Sequence, residues 1–504
     1  MLKRNLIANY LGQGWTALMG LAFVPLYIQY LGIEAYGLIG LFAVLQAWLS
    51  LLDMGMTPAL NREMARFTGG AHSAQSIRDL LRSIEWIAGG IALLIALGIW
   101  AASGWLASDW LRAEKLPTEV VAQAFAIMGV VTALRFVEGV YRSAMVGLQR
   151  QVLFNGINAS LATVRGLGAV ALLVWVSPTI EAFFLWQGLV SIITLALLAG
   201  VTYYLLPTGD RGGRFSVQAL RGIGHFAGGM VGITFLALLL TQVDKILLSK
   251  LLPLSEFGYY TLAAVVAGAL YMLIGPITQA WYPRLCELHA RADFAALADT
   301  YHKGAQLVTV IAGSAAVVVM LFSETLLHLW TQNADLAART APLVSLLTLG
   351  NLLNGLMWIP YQTQLAHGWT GLTVQINIVS VLVIVPAILW TTPRYGAIGA
   401  AWVWVSLNAG YVFIGIHFMY RRILSTEKWP WYSRDVLAPL VLGLVAASGI
   451  KWVVPNPTGN LEQLALLALA AITTLSVSAM AGGHTRQQLQ QRLRPLFPAC
   501  WRAS

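Results

Sequence analysis

Apolar runs long enough to cross a lipid bilayer recur along the whole chain. A membrane-spanning helix needs about 20 apolar residues, and its backbone polar groups must be satisfied inside the helix itself. Since 58% of the residues are hydrophobic and only 10% are charged, the polar breaks between the runs are short. The sequence therefore predicts an all-α polytopic membrane protein, with no room for a large soluble domain.

We predict fourteen membrane-spanning helices. The first apolar run is too long for a signal peptide and no A-x-A cleavage site follows it, so we expect it to be retained as the first span. The predicted spans are residues 6–28, 37–57, 84–106, 119–146, 152–176, 179–206, 222–250, 257–281, 304–330, 340–365, 371–391, 396–420, 433–454 and 460–481.

The distribution of basic residues predicts how the chain sits in the membrane. Of the 31 Lys and Arg residues, 21 fall in the N-terminus, the loops after even-numbered spans and the C-terminal tail, while six fall in the opposite loops. An excess of Lys and Arg marks the cytoplasmic side. We therefore expect both termini in the cytoplasm, where Cys286 and Cys500 would stay reduced.

The formal charge of +10 does not indicate a nucleic-acid partner. The basic residues are spread over loops next to the membrane, where topology and anionic lipids explain them, and no recognition module is visible. Membrane lipids are the expected partners. The tail that follows the last span carries apolar residues at helical spacing between arginines, which suits a short helix on the inner leaflet or a disordered basic segment.

Two segments of the chain resemble each other. They read YLGIEAYGLIGLF at 30–42 and LLPLSEFGYYTLA at 251–263, and they align when Tyr36-Gly37 is matched with Phe257-Gly258. Six predicted spans precede the seventh, so both halves enter the membrane in the same direction. This is a parallel repeat, and transporters built from such repeats bind substrate between the two halves.

The segment PLYIQYLGIEAYGLIGLFAVLQAWLSLLDMGMTPALNREMA at 25–65 resembles the N-terminal signature of polysaccharide-transport flippases. These belong to the multidrug/oligosaccharidyl-lipid/polysaccharide exporter superfamily. VDKILLSKLLPLSEFGYYTLA at 243–263 resembles the segment that opens their second half. The matching residues in the first segment are Pro25, Leu31-Gly32, Tyr36-Gly37, Asp53, Gly55 and Arg62.

The resemblance implies both a fold and a substrate. It implies two six-helix lobes in a V-shape, and transport of undecaprenyl-pyrophosphate-linked oligosaccharides across the bacterial inner membrane, with a polysaccharide polymerase and a chain-length regulator as partners. Two extra C-terminal helices occur in some relatives, notably lipid II flippases, but the first-span arginine associated with those flippases is missing here. The implied divisions are an N-terminal lobe at 1–206, a cytoplasmic linker at 207–221, a C-terminal lobe at 222–420, two additional helices at 421–481 and a basic tail at 482–504.

Four basic residues lie inside predicted spans, namely Arg135, Arg142, Arg165 and Lys245. Arg135, Glu138 and Arg142 are spaced i, i+3 and i+7, which places them on one stripe of the fourth helix. Arg165 lies on the fifth helix, which a short loop makes an antiparallel neighbour. Ions at this depth are costly and mark functional sites. Three cations and one carboxylate leave a surplus of positive charge, which suits a pyrophosphate. A guanidinium group can bind two phosphate oxygens at once.

Two other interpretations of these charges stay open. Glu138 could pair with Arg135 or Arg142 as a structural clamp, and Arg142 could extend its charge to the membrane surface. Arg62 is a further candidate for pyrophosphate binding because it matches the family pattern. Gating or ion-coupling candidates are Glu138, Asp244, Lys245 and Asp53, although Asp53 could simply cap a helix.

Further polar residues in the spans could contact a sugar, although any one of them alone is better explained by helix packing or interfacial anchoring. These residues are Gln13, Gln29, Gln46, Asn155, Asn158, Trp186, Gln187, Asn351, Asn354 and Gln375. A coupling cation, H⁺ or Na⁺, is the only cofactor we consider, and we expect no metal site.

The sequence does not indicate an enzyme, because no nucleophile, base and orienting group occur together and there is no P-loop. A polysaccharide polymerase or ligase remains an alternative, but it would carry a large outer loop, and the longest here is about 107–118. A drug or cation exporter of the same superfamily is the other alternative. Such an exporter requires an acidic cavity, which the first helix does not supply.

Overall fold

The structure is a computed structural model that describes residues 2–68, 70, 72–209, 211–369, 371–454, 457 and 459–487. Side chains are described in these ranges except at 2–10, 224–234, 236, 237, 279, 280 and 283. Every regular element within the described ranges is helical. The predicted tail helix lies almost entirely outside them.

Nine α-helices lie between residues 2 and 251 in the described ranges. A 3₁₀ turn at Ser50–Asp53 follows α3, and a π-helical turn at Leu106–Trp110 follows α5. The helices are α1 (Leu2–Ala22), α2 (Val24–Leu31), α3 (Ile33–Leu49), α4 (Met56–Thr68), α5 (Ala74–Trp105), α6 (Thr118–Gly147), α7 (Gln151–Trp175), α8 (Ile180–Leu205) and α9 (Val217–Leu251).

Twelve further helices follow, several of them joined through π-helical turns at Thr309–Gly313, Tyr411–Gly415 and Trp431–Leu437. They are α10 (Leu254–Gly268), α11 (Leu270–Ala290), α12 (Phe294–Val308), α13 (Ser314–Leu321), α14 (Ser323–Thr331), α15 (Ala334–Leu356), α16 (Trp358–Ala366), α17 (Gly371–Gly410), α18 (Ile416–Tyr420), α19 (Lys428–Pro430), α20 (Ala438–Val453) and α21 (Asn460–Ala481).

Twelve helical stretches in the described part of the chain are long and apolar enough to cross a membrane. One of them, Gly371–Tyr420, is 50 residues long and contains two predicted spans, since Gly396 interrupts it with φ 60° and ψ −149°. The predicted seventh span coincides with α9, a 35-residue helix whose side chains are only partly described. The prediction of an all-helical, multi-pass membrane protein is confirmed.

Some helix boundaries differ from the predicted ones. The helix predicted at 84–106 begins at Ala74, because Ser73 caps it by accepting a hydrogen bond from the backbone N–H of Ser76. Similarly, Asp293 caps α12, so that helix begins before its apolar run does. Capping extends both helices into segments that hydropathy assigns to loops.

The Cα positions divide into two compact units, 1–258 and 259–504. In the first unit α6 packs along α5 and α8, and α1 packs along α7. A large buried core lies between α4, α5 and α6, and it includes Leu60, Leu81 and Ile84. In this unit α6 is therefore a central helix with neighbours on several sides.

In the second unit, hydrogen bonds from buried side chains of α12 connect that helix to the segments that flank the last two long helices, α20 and α21. His302 of α12 bonds Asp435 through Nδ1, and its Nε2 lies 3.1 Å from Glu427 Oε2. Gln306 Oε1 accepts hydrogen bonds from the backbone N–H groups of His484 and Thr485 at 2.8 and 3.0 Å. The α12 helix thus holds both ends of the C-terminal pair.

The repeated segments pack against each other through their glycines. A Cβ atom at Gly37 would lie 2.7 Å from the carbonyl oxygen of Leu254, and one at Gly258 would lie closer still to the carbonyl oxygen of Ile33. Ile33 and Leu254 occupy equivalent positions of the repeat, as Gly37 and Gly258 do. The contact is therefore reciprocal, and only glycine fits at either position.

Polar bonds hold the predicted linker against the start of α5. Asp79 accepts hydrogen bonds from Arg211 Nη2 at 3.1 Å and from the backbone N–H of Arg214 at 2.7 Å. Arg78 donates from Nε to the carbonyl oxygen of Pro207 at 2.8 Å. The segment between α8 and α9 is thus fastened to the first unit.

Candidate functional site

The α6 helix carries the predicted charged stripe into the membrane-spanning part of the first unit. At a rise of 1.5 Å per residue, Arg135 lies about 26 Å along this helix from Thr118. Glu138 is buried, with 2% of its surface exposed, whereas Arg142 is exposed. The stripe thus passes from an enclosed environment to an open one.

Three neutral side chains from two other helices hold the guanidinium group of Arg135. Its Nη2 donates to Gln187 Oε1 at 2.8 Å, its Nη1 to Gln46 Oε1 at 3.2 Å, and its Nε to Ser191 Oγ at 3.5 Å. The guanidinium carbon lies 5.0 Å from the centre of the Phe42 ring. Arg135 therefore links α3, α6 and α8 through neutral partners.

Within the described part of the chain, no carboxylate lies within 4.0 Å of the basic nitrogen atoms of Arg135, Arg142 or Arg165. Glu138 lies close enough to all three arginines to interact with them electrostatically, yet its buried Oε1 accepts no hydrogen bond. The structural clamp considered above is not formed.

Arg165 of α7 belongs to the same group of charges. It interacts electrostatically with Glu138 and Arg142. Its side-chain Nε is buried and has no hydrogen-bond partner in the described part of the chain. A buried N–H of a cation without an acceptor is costly, and Arg165 Nε therefore keeps an unused donor. We call Arg135, Glu138, Arg142 and Arg165 the arginine cluster.

The predicted residues at the junction of α3 and α4 have local partners. Both carboxylate oxygens of Asp53 accept the backbone N–H of Thr57, at 3.0 and 3.1 Å, so Asp53 caps the start of α4. Arg62 Nη1 lies 3.9 Å from Glu63 Oε1. The capping alternative for Asp53 therefore has direct structural support.

Glu63 is the centre of a polar group that the sequence did not reveal. His72 Nε2 lies 2.6 Å from Glu63 Oε2, and Arg66 Nη1 donates to the same oxygen at 2.9 Å. Burial raises the pKa of Glu63, but the bonds from His72 and Arg66 outweigh it and hold the pKa below its ordinary value. A cavity of about 410 Å³ opens beside these residues and Asp79.

Asp244 and Lys245 lie together on α9. Lys245 Nζ is 3.7 Å from Asp244 Oδ1 and donates to the carbonyl oxygen of Thr241 at 2.9 Å. Both side chains are half-buried. The structure thus pairs these two gating candidates with each other, and their role stays a prediction.

The sequence did not reveal two residues that contact Arg135 in the arginine cluster, namely Phe42 and Ser191. Gln187 and Ser191 are spaced i and i+4 on the sixth predicted span, a pattern that would have revealed one polar face. Gln46 and Gln187 were considered as sugar contacts, but in the structure they bond Arg135. Among the residues that the structure describes, no three His, Cys, Asp or Glu side chains are grouped to hold a metal ion.

The fold and the charged interior define a class, namely a polytopic, all-helical membrane protein with the fold of solved transporters of the multidrug/oligosaccharidyl-lipid/polysaccharide exporter superfamily. A lipid II flippase named MurJ, solved in an inward closed conformation, aligns with a TM-score of 0.66 over 97% of this chain and 99% of its own, at 13% identity. An inward-facing multidrug transporter of that superfamily aligns with a TM-score of 0.61 over 82% of this chain and 96% of its own, at 14% identity.

The family is defined by sequence. Residues 2–289 match the profile of the polysaccharide biosynthesis protein family, which is more than half of the chain, so the chain belongs to that family. A Shigella flexneri protein named as a candidate O-antigen transporter is 20% identical over 425 residues, covering 84% of this chain and 99% of its own length. The predicted resemblance is confirmed.

Proposed function

We propose that this protein is a flippase for undecaprenyl-pyrophosphate-linked oligosaccharide repeat units. It carries them across the bacterial inner membrane for the assembly of O-antigen, capsule or exopolysaccharide. Family membership and the likeness to the Shigella flexneri protein support transport of polysaccharide precursors. The pyrophosphate headgroup is inferred from the chemistry of the arginine cluster.

The observation that carries the proposal is the charge balance of that cluster. Three guanidinium groups interact electrostatically with one carboxylate, and none of them is within ion-pair distance of it in the described part of the chain. Neutral acceptors hold Arg135 in place without cancelling its charge. Two oxygen atoms of a pyrophosphate can accept hydrogen bonds from one guanidinium group. These bonds are charge-assisted and therefore stronger than the bonds to neutral acceptors that they replace.

The proposed mechanism is alternating access between an N-terminal and a C-terminal lobe. The arginine cluster binds the pyrophosphate, the sugars occupy the polar interior, and the prenyl chain stays in lipid. The site carries a different net charge when the headgroup is bound than when it is empty. A coupling cation, H⁺ or Na⁺, that binds the empty site would shift the protein back to the conformation that accepts a new headgroup. Glu138 is the carboxylate best placed to carry that cation, with Asp244 as a second candidate.

We further propose that both termini face the cytoplasm, as the distribution of basic residues predicts. Substrate would then enter from the cytoplasmic side, where lipid-linked repeat units are completed, and leave toward the periplasm. A polysaccharide polymerase and a chain-length regulator are the proposed downstream partners. They would act on the unit after its release.

A transport assay in liposomes tests this function. The purified full chain is reconstituted with fluorescent undecaprenyl-pyrophosphate oligosaccharide, and headgroup exposure is followed with a membrane-impermeant quencher. We expect faster quenching than in protein-free liposomes, with no covalent change in the lipid. Transfer or polymerisation of sugars would favour an enzyme instead, and export of a hydrophobic cation without headgroup movement would favour a drug exporter.

Two variants connect the assay to the cluster. Arg135→Ala and Arg165→Ala should reduce headgroup transfer at least about tenfold, because each removes charge-assisted bonds worth more than 1.4 kcal/mol. Arg394→Ala is the matched control, since this exposed arginine bonds only the nearby carbonyl oxygen of Trp390 in the described residues. Wild-type transfer by both cluster variants would refute the proposed site.

A further inference from the structure

Six neutral side chains meet in the second unit, where four helices that contribute them come together. They form hydrogen bonds and ring contacts with one another, and no charged residue takes part in the bonds that join them. We call them the amide cluster: Tyr271 of α11, Asn351 and Asn354 of α15, Trp358 of α16, and Trp404 and Asn408 of α17.

Hydrogen bonds fix the arrangement of the cluster. Trp404 Nε1 donates to Asn351 Oδ1 at 2.9 Å, and Asn354 Nδ2 donates to Asn408 Oδ1 at 2.8 Å. The Tyr271 hydroxyl is 3.2 Å from Oδ1 of both Asn351 and Asn354. Most of these bonds converge on amide oxygens, so the cluster uses its acceptors more fully than its donors.

Unused donors remain on the amides. The indole N–H of Trp404 can only donate, so Asn351 must turn its oxygen toward Trp404 and its Nδ2 away. That Nδ2 has no hydrogen-bond partner in the described part of the chain, and it is not among the fully enclosed polar atoms that lack one. Asn354 likewise uses one of its two N–H groups. These groups can donate to a hydroxyl oxygen.

Aromatic rings stand beside the free donors. Tyr271 and Trp358 are stacked with ring centres 5.8 Å apart at 25°, and both are half-buried. Trp404 lies over Gly350, where a Cβ atom would overlap its ring. Sugars present C–H groups on their ring faces and hydroxyls at their edges. The aromatic rings match the C–H faces of a sugar, and the amide N–H groups match its hydroxyls.

The arginine cluster occupies the equivalent place in the first half. Arg135 on the fourth span and Asn351 on the tenth lie equally far along their helices, counted from Thr118 and Ala334. On the sixth span Gln187 bonds Arg135 from the seventh position after Ile180. Trp404 bonds Asn351 from the seventh position after Ala397, which resumes the helix beyond Gly396.

Two further pairs of residues extend the correspondence. Ser191 and Asn408 stand eleven positions after the same two reference residues, and each bonds within its cluster. The second span supplies Gln46 to the arginine cluster, and the eighth supplies Tyr271 to the amide cluster. The repeat therefore builds one polar group in each half from corresponding helices. The group is cationic in the first half and neutral in the second.

We propose that the amide cluster is a binding site for the sugar part of the transported lipid. Neutral donors and half-buried rings recognise an uncharged sugar ring, just as the arginine cluster recognises the anionic headgroup. This inference rests on the proposed function. It assigns the two parts of one substrate to corresponding places in the two halves.

Binding in lipid nanodiscs separates the two parts. The full chain is tested by native mass spectrometry against undecaprenyl pyrophosphate, and against the sugar-bearing lipid extracted from source cells that lack this transporter. Asn351→Leu removes the amide at similar volume, and Trp404→Phe removes the indole N–H. Both should weaken binding of the sugar-bearing lipid about tenfold, as expected for one or two lost hydrogen bonds, and leave undecaprenyl pyrophosphate binding unchanged.

Controls distinguish recognition from packing. Trp402→Phe alters an exposed tryptophan two positions from Trp404 and should change neither affinity. Tyr271→Phe keeps the ring and provides a second test if Asn351→Leu does not fold. Equal weakening of both lipids, or wild-type binding by all three cluster variants, would overturn the sugar site.

The outcome for the wild type distinguishes this inference from the proposed function. If the wild type binds the sugar-bearing lipid no better than undecaprenyl pyrophosphate, only the sugar site fails. If it binds neither lipid, the proposed function fails with it. If it prefers the sugar-bearing lipid and the cluster variants lose that preference, both are supported.

Discussion

Arg135 illustrates what a single residue in this membrane protein requires. The sequence predicts its depth, because a guanidinium group near the middle of a 30-residue helix cannot easily reach either surface. It does not predict the partners, since Gln46 and Gln187 come from helices 89 and 52 residues away. Side-chain partners across helices depend on packing that periodicity does not encode.

Glu138 provides a residue-scale prediction. Replacing it with Gln removes the only carboxylate of the arginine cluster, so the site becomes more positive. We expect undecaprenyl pyrophosphate to bind Glu138→Gln more tightly, by about tenfold for roughly 1.4 kcal/mol of relieved competition, while headgroup transfer slows because release is hindered. Binding in nanodiscs and the liposome assay measure the two effects.

The control for that prediction is Glu119→Gln, which alters an exposed carboxylate in the first turn of the same helix. It should leave both quantities unchanged. Unaltered affinity in Glu138→Gln would mean that the carboxylate does not oppose anion binding.

At the scale of helices, hydropathy predicted most spans to within a few residues but missed features set by single residues. Ser73 and Asp293 extend helices through caps, and Gly396 interrupts α17 although two prolines suggest other breaks. Positive φ at one glycine is a backbone property that apolar patterning does not report. Hydropathy therefore does not predict the positions of helix caps and kinks.

The glycine contact between α3 and α10 makes an element-scale prediction. Gly37→Ala would place a methyl group 2.7 Å from the carbonyl oxygen of Leu254, so the nearest atom that would have to move belongs to the backbone. We expect a loss of about 1–3 kcal/mol of stability, typical of overpacking, seen as a lower Tm in detergent. Gly258→Ala should behave similarly.

Gly89→Ala is the matched control, because a Cβ there meets nothing within 4 Å and the residue lies inside a helix. Alanine should raise stability slightly at this position, by about 0.5–1 kcal/mol. A Tm for Gly37→Ala as high as that of Gly89→Ala would show that α3 and α10 can separate freely.

At the scale of the whole molecule, the sequence predicted the family and the all-helical, multi-pass fold. Twelve helical stretches in the described residues, against fourteen predicted spans, are long and apolar enough to cross a membrane. Lobe boundaries at 206 and 222 follow the repeat, whereas compactness divides the chain at 258 because α9 packs against helices of the first unit. Polar bonds from Asp79 hold the preceding linker to the same unit. Contacts made by a connecting segment are invisible to a search for repeats.

Orientation in the membrane is the whole-molecule prediction. Cys286, with Cys500 replaced by Ser, should react with a membrane-impermeant maleimide in inside-out vesicles and not in right-side-out ones. In a cysteine-free chain, Ser108→Cys at an exposed outer position should show the reverse. Labelling is read by a gel shift, and an exchange of the two patterns would invert the proposed topology.

The reciprocal glycine contact bears on how a duplicated chain can change. Duplication ordinarily frees two copies to diverge, yet here each copy supplies both a glycine and the carbonyl oxygen that the other glycine faces. A larger residue in either copy alters the same junction. The two segments therefore constrain each other at this point, since a change in one alters the surroundings of the other.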